Sequence, residues 1–195
     1  MQDKQLNEKE SLELIAQMIR NTRQKMEENS GTMFLIWGYS TVIVTMLVWI
    51  LLSKTGDYMW QWLWFLLPIS GTLGAVFYTK NRKKKPRAVT YVDKVINYIW
   101  LILGITGFLL SMVSIVLRLP ILFIIVLIMG IGTTLTGLVV NFRPLTVSGI
   151  VGMVLSVALP FLEWKMQMPA FALIFLFMMV IPGHYLNYKT KKSDV

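Results

Sequence analysis

Long apolar stretches alternate with short polar ones along this 195-residue chain. Six of the apolar stretches contain no Asp, Glu, Lys or Arg. Each has about the 20 residues that a helix needs to cross a hydrocarbon layer roughly 30 Å thick. Continuous apolar runs do not alternate as the strands of a membrane barrel must, so the pattern predicts helices. The predicted spans are 33–53, 59–79, 96–117, 119–140, 145–162 and 168–186.

The connections between neighbouring spans are short enough to determine their relative direction. Arg118 alone separates the third and fourth spans, and residues 141–144 separate the fourth and fifth. Helices joined so tightly must run antiparallel. The chain is therefore predicted to be an all-α integral membrane protein with six transmembrane helices arranged as three antiparallel hairpins. Its predicted parts are a cytoplasmic amphipathic helix at 1–32, a transmembrane domain at 33–188 and a basic cytoplasmic tail at 189–195.

Residues 7–29 have the spacing of an amphipathic helix, with Ser30 and Gly31 suited to end it. Apolar side chains recur every three, four or seven residues, and an exposed apolar stripe needs a cover. Three covers stay open: the protein's own cytoplasmic face or the lipid headgroups, a second copy in a short coiled coil, and the groove of a partner protein. The stripe, called the N-terminal seam below, consists of Leu12, Ile15, Ile19 and Met26.

Composition supports the membrane interpretation. Hydrophobic residues make up 55% of the chain and charged residues only 15%, against about 25% charged in soluble domains. This excludes a disordered chain and an ordinary soluble enzyme. Because the chain has no cysteine, it contains no disulfide and no thiolate metal site.

The distribution of positive charge predicts the orientation. Sixteen of the 19 Lys and Arg fall in the N-terminal tail, the 80–95 loop, the 141–144 loop and the C-terminal tail. The positive-inside rule therefore places both termini in the cytoplasm, with the cytoplasmic membrane as the location if the chain is bacterial. Residues 1–32 have no apolar core near the start, so we expect no cleavable signal peptide.

The densest positive charge lies at 80–87, where six of eight residues are Lys or Arg. Such a run keeps its loop in the cytoplasm, and each charge near the surface contributes about 1 kcal/mol to contact with anionic lipid headgroups. No nucleic-acid partner is expected, because no other feature matches a nucleic-acid-binding module. The predicted lipid-contacting residues are Lys80, Arg82, Lys83, Lys84, Lys85 and Arg87.

Chemistry inside a membrane needs ionisable groups at depth, and the spans contain one candidate, His184. It follows Pro182 and Gly183 near the end of the sixth span, and we interpret it as an interfacial histidine, with pH sensing or proton handling as the alternative. One histidine without a carboxylate spaced to meet it does not form a metal site. The chain also lacks hydrolase, P-loop and dinucleotide-binding motifs. We therefore predict no catalytic, metal or cofactor-binding residues and expect no enzyme.

Small residues recur at helical spacing in several spans, which favours close packing between helices. They are densest at 130–137, where two glycines one residue apart could loosen the fourth span and line a polar path. The residues of this predicted path are Gly130, Gly132, Thr133, Thr136 and Gly137.

Two classes of function remain open. The first is a non-enzymatic interaction, regulatory or accessory membrane subunit, whose N-terminal seam and basic loop contact a partner. The second is a small transporter or channel for a neutral or amphiphilic solute, with a homo-oligomer as one arrangement. Ion-coupled transport normally uses an intramembrane carboxylate, and the spans contain none, so the first class is favoured.

Overall fold

The computed structural model describes residues 8–82 and 91–193, and within these ranges it contains helices and no strands. The α-helices are α1 (Glu8–Thr55), α2 (Leu66–Arg82), α3 (Tyr91–Leu117), α4 (Ile121–Val140), α5 (Arg143–Ser156), α6 (Trp164–Phe175) and α7 (Ile181–Ser193). Two 3₁₀-helices, Tyr58–Phe65 and Leu159–Phe161, and a π-helix, Leu176–Val180, complete them.

Six stretches of the described residues are long and apolar enough to cross a membrane, which confirms the predicted number of spans. The second span begins as the 3₁₀-helix that precedes α2, and the sixth combines α6, the π-helix and most of α7. The spans are Gly31–Thr55, Tyr58–Asn81, Tyr91–Ser114, Ile121–Val140, Arg143–Phe161 and Trp164–Lys189.

The first helix is longer than the sequence pattern predicts. It runs without a break from Glu8 to Thr55, so the N-terminal segment and the first span form one helix, and the predicted end at Ser30 and Gly31 is wrong. Gly31 lies instead against the sixth span, where a Cβ on it would come within 3.1 Å of the Gly183 carbonyl oxygen. A glycine that suits a helix end equally suits a close contact between two helices.

The true end of α1 has the chemistry expected of a helix terminus. Gly56 adopts a φ of +68°, and its N–H donates to the Leu52 carbonyl at 2.9 Å. This is the left-handed cap that glycine forms without steric cost. Helix α4 ends in the same way, with Asn141 in the left-handed region and the Phe142 N–H donating to the Gly137 carbonyl at 2.8 Å.

Glycines allow α4 and α5 to pack backbone against backbone. A Cβ on Gly149 would lie 2.7 Å from the backbone nitrogen of Thr134, and a Cβ on Gly137 would lie 2.5 Å from that of Thr146. Real Cβ atoms do not approach other atoms so closely, so these positions leave no room for a side chain. The short turn at Asn141 and this packing make α4 and α5 a tight antiparallel pair.

The remaining helices are arranged around this pair and around α1. Helix α1 packs along the sixth span, and α3 packs on α4. The second and third spans are peripheral, since 6% of each is buried against 50% of the sixth. The core between the central helices contains Phe34, Val126, Leu145, Phe171 and Met178. The grouping into three hairpins stays a prediction, because the largest contacts join the fourth span to the fifth and the first to the sixth.

We expect Gly149→Ala to destabilise the protein by about 1–3 kcal/mol, because the added methyl group would overpack the contact between α4 and α5. Gly104→Ala is the matched control, since Gly104 has no neighbouring atom within 4 Å of its would-be Cβ. Thermal unfolding in detergent should show a lower Tm for Gly149→Ala and an unchanged or higher Tm for Gly104→Ala. Equal shifts for the two variants would contradict the packing.

Candidate functional site

The sixth span departs from α-helical geometry in its middle. Leu176–Val180 forms a turn of π-helix, in which the Ile181 N–H donates to the Leu176 carbonyl five residues earlier. Pro169 precedes this turn and Pro182 follows it. Such π-bulges are rare and frequently lie at functional sites, so this span and the residues that contact it form the candidate site.

Pro182 deprives one backbone carbonyl of its ordinary partner. Proline has no N–H, and the carbonyl that residue 182 would have bonded is that of Phe177 in the π-register or that of Met178 in the α-register. Ser148 of α5 donates its hydroxyl to the Met178 oxygen at 3.1 Å and also lies 2.9 Å from the Leu145 oxygen. Beside it, a Cβ on Gly152 would lie 2.5 Å from the Met178 sulfur. Helix α5 thus reaches the π-helix closely enough to give the Met178 carbonyl a side-chain donor.

Pro169 also leaves a carbonyl of the sixth span without its backbone donor, and here α1 supplies the replacement. The predicted sixth span, 168–186, would place Pro169 in its first turn, but α6 begins at Trp164, so Pro169 lies inside the helix. The carbonyl left without its N–H is that of Lys165, and the indole N–H of Trp49 on α1 donates to it at 2.8 Å. Pro169 is therefore accommodated by a side chain from another helix, and a second side chain from another helix bonds the π-helix before Pro182.

The last part of the sixth span packs closely on α1. The Gly183 Cα faces Leu35 and the Gly31 carbonyl oxygen, which a Cβ on Gly183 would approach to 3.1–3.2 Å. Two polar pairs cross the same boundary: the Asn187 amide donates to the Thr32 hydroxyl at 3.3 Å, and the Tyr39 hydroxyl lies 2.7 Å from Nε2 of His184. We call this set the α1–α7 contact; it consists of Gly31, Thr32, Leu35, Tyr39, Gly183, His184 and Asn187.

The side chain of Tyr39 contacts His184 through both its ring and its hydroxyl. Its ring meets that of Tyr39 edge to face, with centroids 5.8 Å apart and planes at 76°. When Nε2 carries no proton, the imidazole accepts from the Tyr39 hydroxyl; when Nε2 is protonated, it donates to the phenol oxygen. The pair is therefore compatible with either tautomer of the ring. Within the residues that the structure describes, no group of three or more His, Cys, Asp and Glu side chains is placed to hold a metal.

The residues of the predicted polar path lie where α4 contacts neighbouring helices. Thr133 and Thr136 are fully buried, and their hydroxyls donate to the carbonyls of Met129 at 2.8 Å and Gly132 at 2.7 Å on the same helix. The Trp100 indole N–H donates to the Thr136 hydroxyl at 3.2 Å, and the Trp100 ring covers Gly132. Gly130 and Gly137 face α5. This arrangement favours a packing role for the five residues over a solute path.

The other predicted site residues lie toward the ends of α1 and α2. Leu12 of the N-terminal seam is 66% exposed, and Ile15, Ile19 and Met26 belong to α1 with side chains outside the described residues. Lys80 is exposed in the last turns of α2, and Arg82 is the last residue of that helix. The rest of the basic run lies outside the described residues: Lys83, Lys84, Lys85 and Arg87.

The sequence pattern did not single out Tyr39, Trp49 or Ser148 as partners of the sixth span. One signal was present, because a proline inside a helix identifies the carbonyl four residues earlier as needing a donor. Which helix supplies the donor depends on the tertiary arrangement, and the spacing of residues along the sequence does not reveal that arrangement.

In comparisons with known proteins, no protein-family model, no curated protein and no solved structure matches the chain.

We expect Ser148→Ala to lower the free energy of unfolding by about 0.6–1.7 kcal/mol, the range for hydrogen bonds between membrane helices. In a Pro182→Ala background the loss should be smaller, because an alanine at this position adds a backbone N–H that competes with Ser148 for the carbonyls of the preceding turn. The measurement is a double-mutant cycle of unfolding in detergent.

Ser111→Ala is the control for this cycle, since the Ser111 hydroxyl bonds the Gly107 carbonyl within α3 at 2.7 Å. Its effect should be independent of residue 182. Additive effects of Ser148→Ala and Pro182→Ala would show that the serine does not serve the proline.

Proposed function

We propose that this chain is a non-enzymatic interaction or regulatory subunit of a membrane, which presents the N-terminal part of α1 to a protein partner in the cytoplasm. The observation that supports this most directly is the continuity of α1 from Glu8 to Thr55. A helix that leaves the membrane without a break holds its N-terminal seam away from the bilayer, and the partner protein then provides the cover.

The length of this projecting segment suits a helical partner. Residues 8–30 precede the first span and extend for about 35 Å at 1.5 Å per residue. Leu12, near the far end, is 66% exposed. A helix that continues along the direction of its own transmembrane segment does not lie in the headgroup plane, and the seam is shorter than the three to four heptads of a self-sufficient coiled coil. Both points favour a partner helix or groove over lipid and over self-association.

The α1–α7 contact gives the partner a mechanical connection to the bundle. Gly31 marks the point where the projecting segment becomes the first span, and there the helix touches Gly183 and Asn187. Tyr39 and Trp49 then join α1 to the sixth span about two and five turns further along. A partner that tilts or restrains the N-terminal segment therefore acts first on the span that contains the π-helix.

The proposed orientation places both termini and the basic run in the cytoplasm, where the run contacts anionic lipid headgroups. Sixteen of the 19 Lys and Arg support this orientation. The remaining three, Lys54, Arg118 and Lys165, lie at the opposite ends of the helices.

We expect a photo-crosslinking amino acid at Ile19 to capture one discrete protein in native membranes, because this position belongs to the N-terminal seam. Position Gln17 is the matched control, since it lies about 160° away on the same helix and should capture little. Crosslinked products are identified by mass spectrometry from cells that express the full chain. The same products from both positions, or products containing only lipid or a second copy, would contradict a partner on the seam.

The absence of cysteine makes the orientation directly measurable, because any introduced thiol is the only one in the chain. We expect Lys54→Cys to react with a membrane-impermeant maleimide on intact cells, and Lys80→Cys to react only after the membrane is opened. Both lysines are exposed, so access to reagent rather than burial decides the result. The reverse pattern would place the termini outside.

A further inference from the structure

A groove of about 350 Å³ runs along the outside of α2 beside α1. Its lining positions on α2 are three, four, seven and eight residues apart, so they share one face of the helix. The groove extends about 12 Å along the helix axis. It is lined by Trp37 of α1 and by Thr72, Ala75, Val76, Thr79 and Lys80 of α2.

Glycine on α2 creates the wall of this groove. A Cβ on Gly71 would lie 2.5–2.8 Å from three ring atoms of Trp37, so only glycine lets the indole lie against the helix. Gly74, one turn on, accommodates Ile36 in the same way. The large ring beside the small side chain of Ala75 leaves a recess rather than a flat helix surface.

The groove is apolar along its middle and charged at one end. Ala75, Val76 and the Trp37 ring make its middle apolar, as an acyl chain requires. Lys80 is exposed at one end and brings a positive charge. The sequence after Lys80 continues the basic run, which raises the local concentration of anionic lipid at this end. Thr79 adds no competing charge, and its hydroxyl is bonded to the Ala75 carbonyl at 2.7 Å.

We propose that this groove is a binding site for an anionic phospholipid, with one acyl chain beside Trp37 and the phosphate paired with Lys80. An ammonium group is a compact partner for phosphate, while the apolar recess retains the chain through its contact area. A zwitterionic lipid fills the same recess but gains less from Lys80. The site therefore distinguishes lipids by the charge of their headgroup, and its contact with the acyl chain keeps the lipid bound. The site lies on α2, and the lipid proposal is independent of the proposed partner of the N-terminal seam.

The test uses the full chain purified in detergent and native mass spectrometry of lipid adducts. Phosphatidylglycerol and phosphatidylcholine with identical acyl chains are titrated separately, and glycerol 3-phosphate provides the headgroup without a tail. We expect about fivefold more adduct with phosphatidylglycerol than with phosphatidylcholine, and none with glycerol 3-phosphate. The fivefold ratio corresponds to about 1 kcal/mol for one surface charge.

Two pairs of variants locate the binding. Lys80→Gln should lower the preference for phosphatidylglycerol, whereas Lys54→Gln, at the other end of the first span, should leave it unchanged. Ala75→Trp should fill the recess and reduce adducts of both lipids, whereas Leu73→Trp, on an exposed part of α2 outside the groove, should not. Thermal unfolding of each variant verifies that it is folded, and the lysine pair changes only exposed side chains.

Equal adducts of the two lipids on the wild-type protein would overturn the proposal. So would the same loss of preference in Lys80→Gln and Lys54→Gln, or adducts of glycerol 3-phosphate as abundant as those of the lipid. A second protein copy that displaces lipid from the wild-type chain but not from Ala75→Trp would assign the groove to a dimer contact instead.

Discussion

A backbone carbonyl that loses its N–H needs another donor, and donors of this kind from two neighbouring helices hold the bundle around its sixth span. Pro169 removes the N–H that would bond the Lys165 carbonyl, and Pro182 together with the π-turn disturbs the backbone bonding around Met178. The donors come from two different helices, the Trp49 indole of α1 and the Ser148 hydroxyl of α5. Each of these two hydrogen bonds joins the irregular sixth span to a neighbouring helix.

Close contact between helices makes these hydrogen bonds geometrically accessible. The hydroxyl of Ser148 reaches Met178 because Gly152, one turn away, lets α5 approach the π-helix. On the other side, Gly31 and Gly183 bring α1 and α7 together beside the Tyr39–His184 pair. Attraction between apolar side chains and lipid does not distinguish one helix arrangement from another, so small residues and polar bonds must do so.

The sequence predicted the features that depend on local composition. Six apolar stretches appear as six candidate spans, because hydropathy and length are properties of each segment alone. Gly31 was misread because a glycine after an amphipathic segment is typical of a helix end, and only the position of α7 reveals its other role. Pro169 was misplaced for a related reason, since polar residues at the start of α6 hid the first turns of the helix. Partners such as Trp49 and Ser148 come from helices distant in sequence, and no periodicity reports them.

The π-helix at Leu176–Val180 also has a consequence for the register of the sixth span. A π-turn accommodates one more residue than an α-turn, so the faces of the helix before and after it are out of phase by about 100°. Phe171 and Phe175 are thereby directed into the core on one side of the turn, while Gly183 and His184 meet α1 on the other. Loss of a single residue within the turn would return the span to a regular α-helix and rotate everything after it away from α1. The apparent irregularity is what allows one helix to present two differently oriented faces to its neighbours.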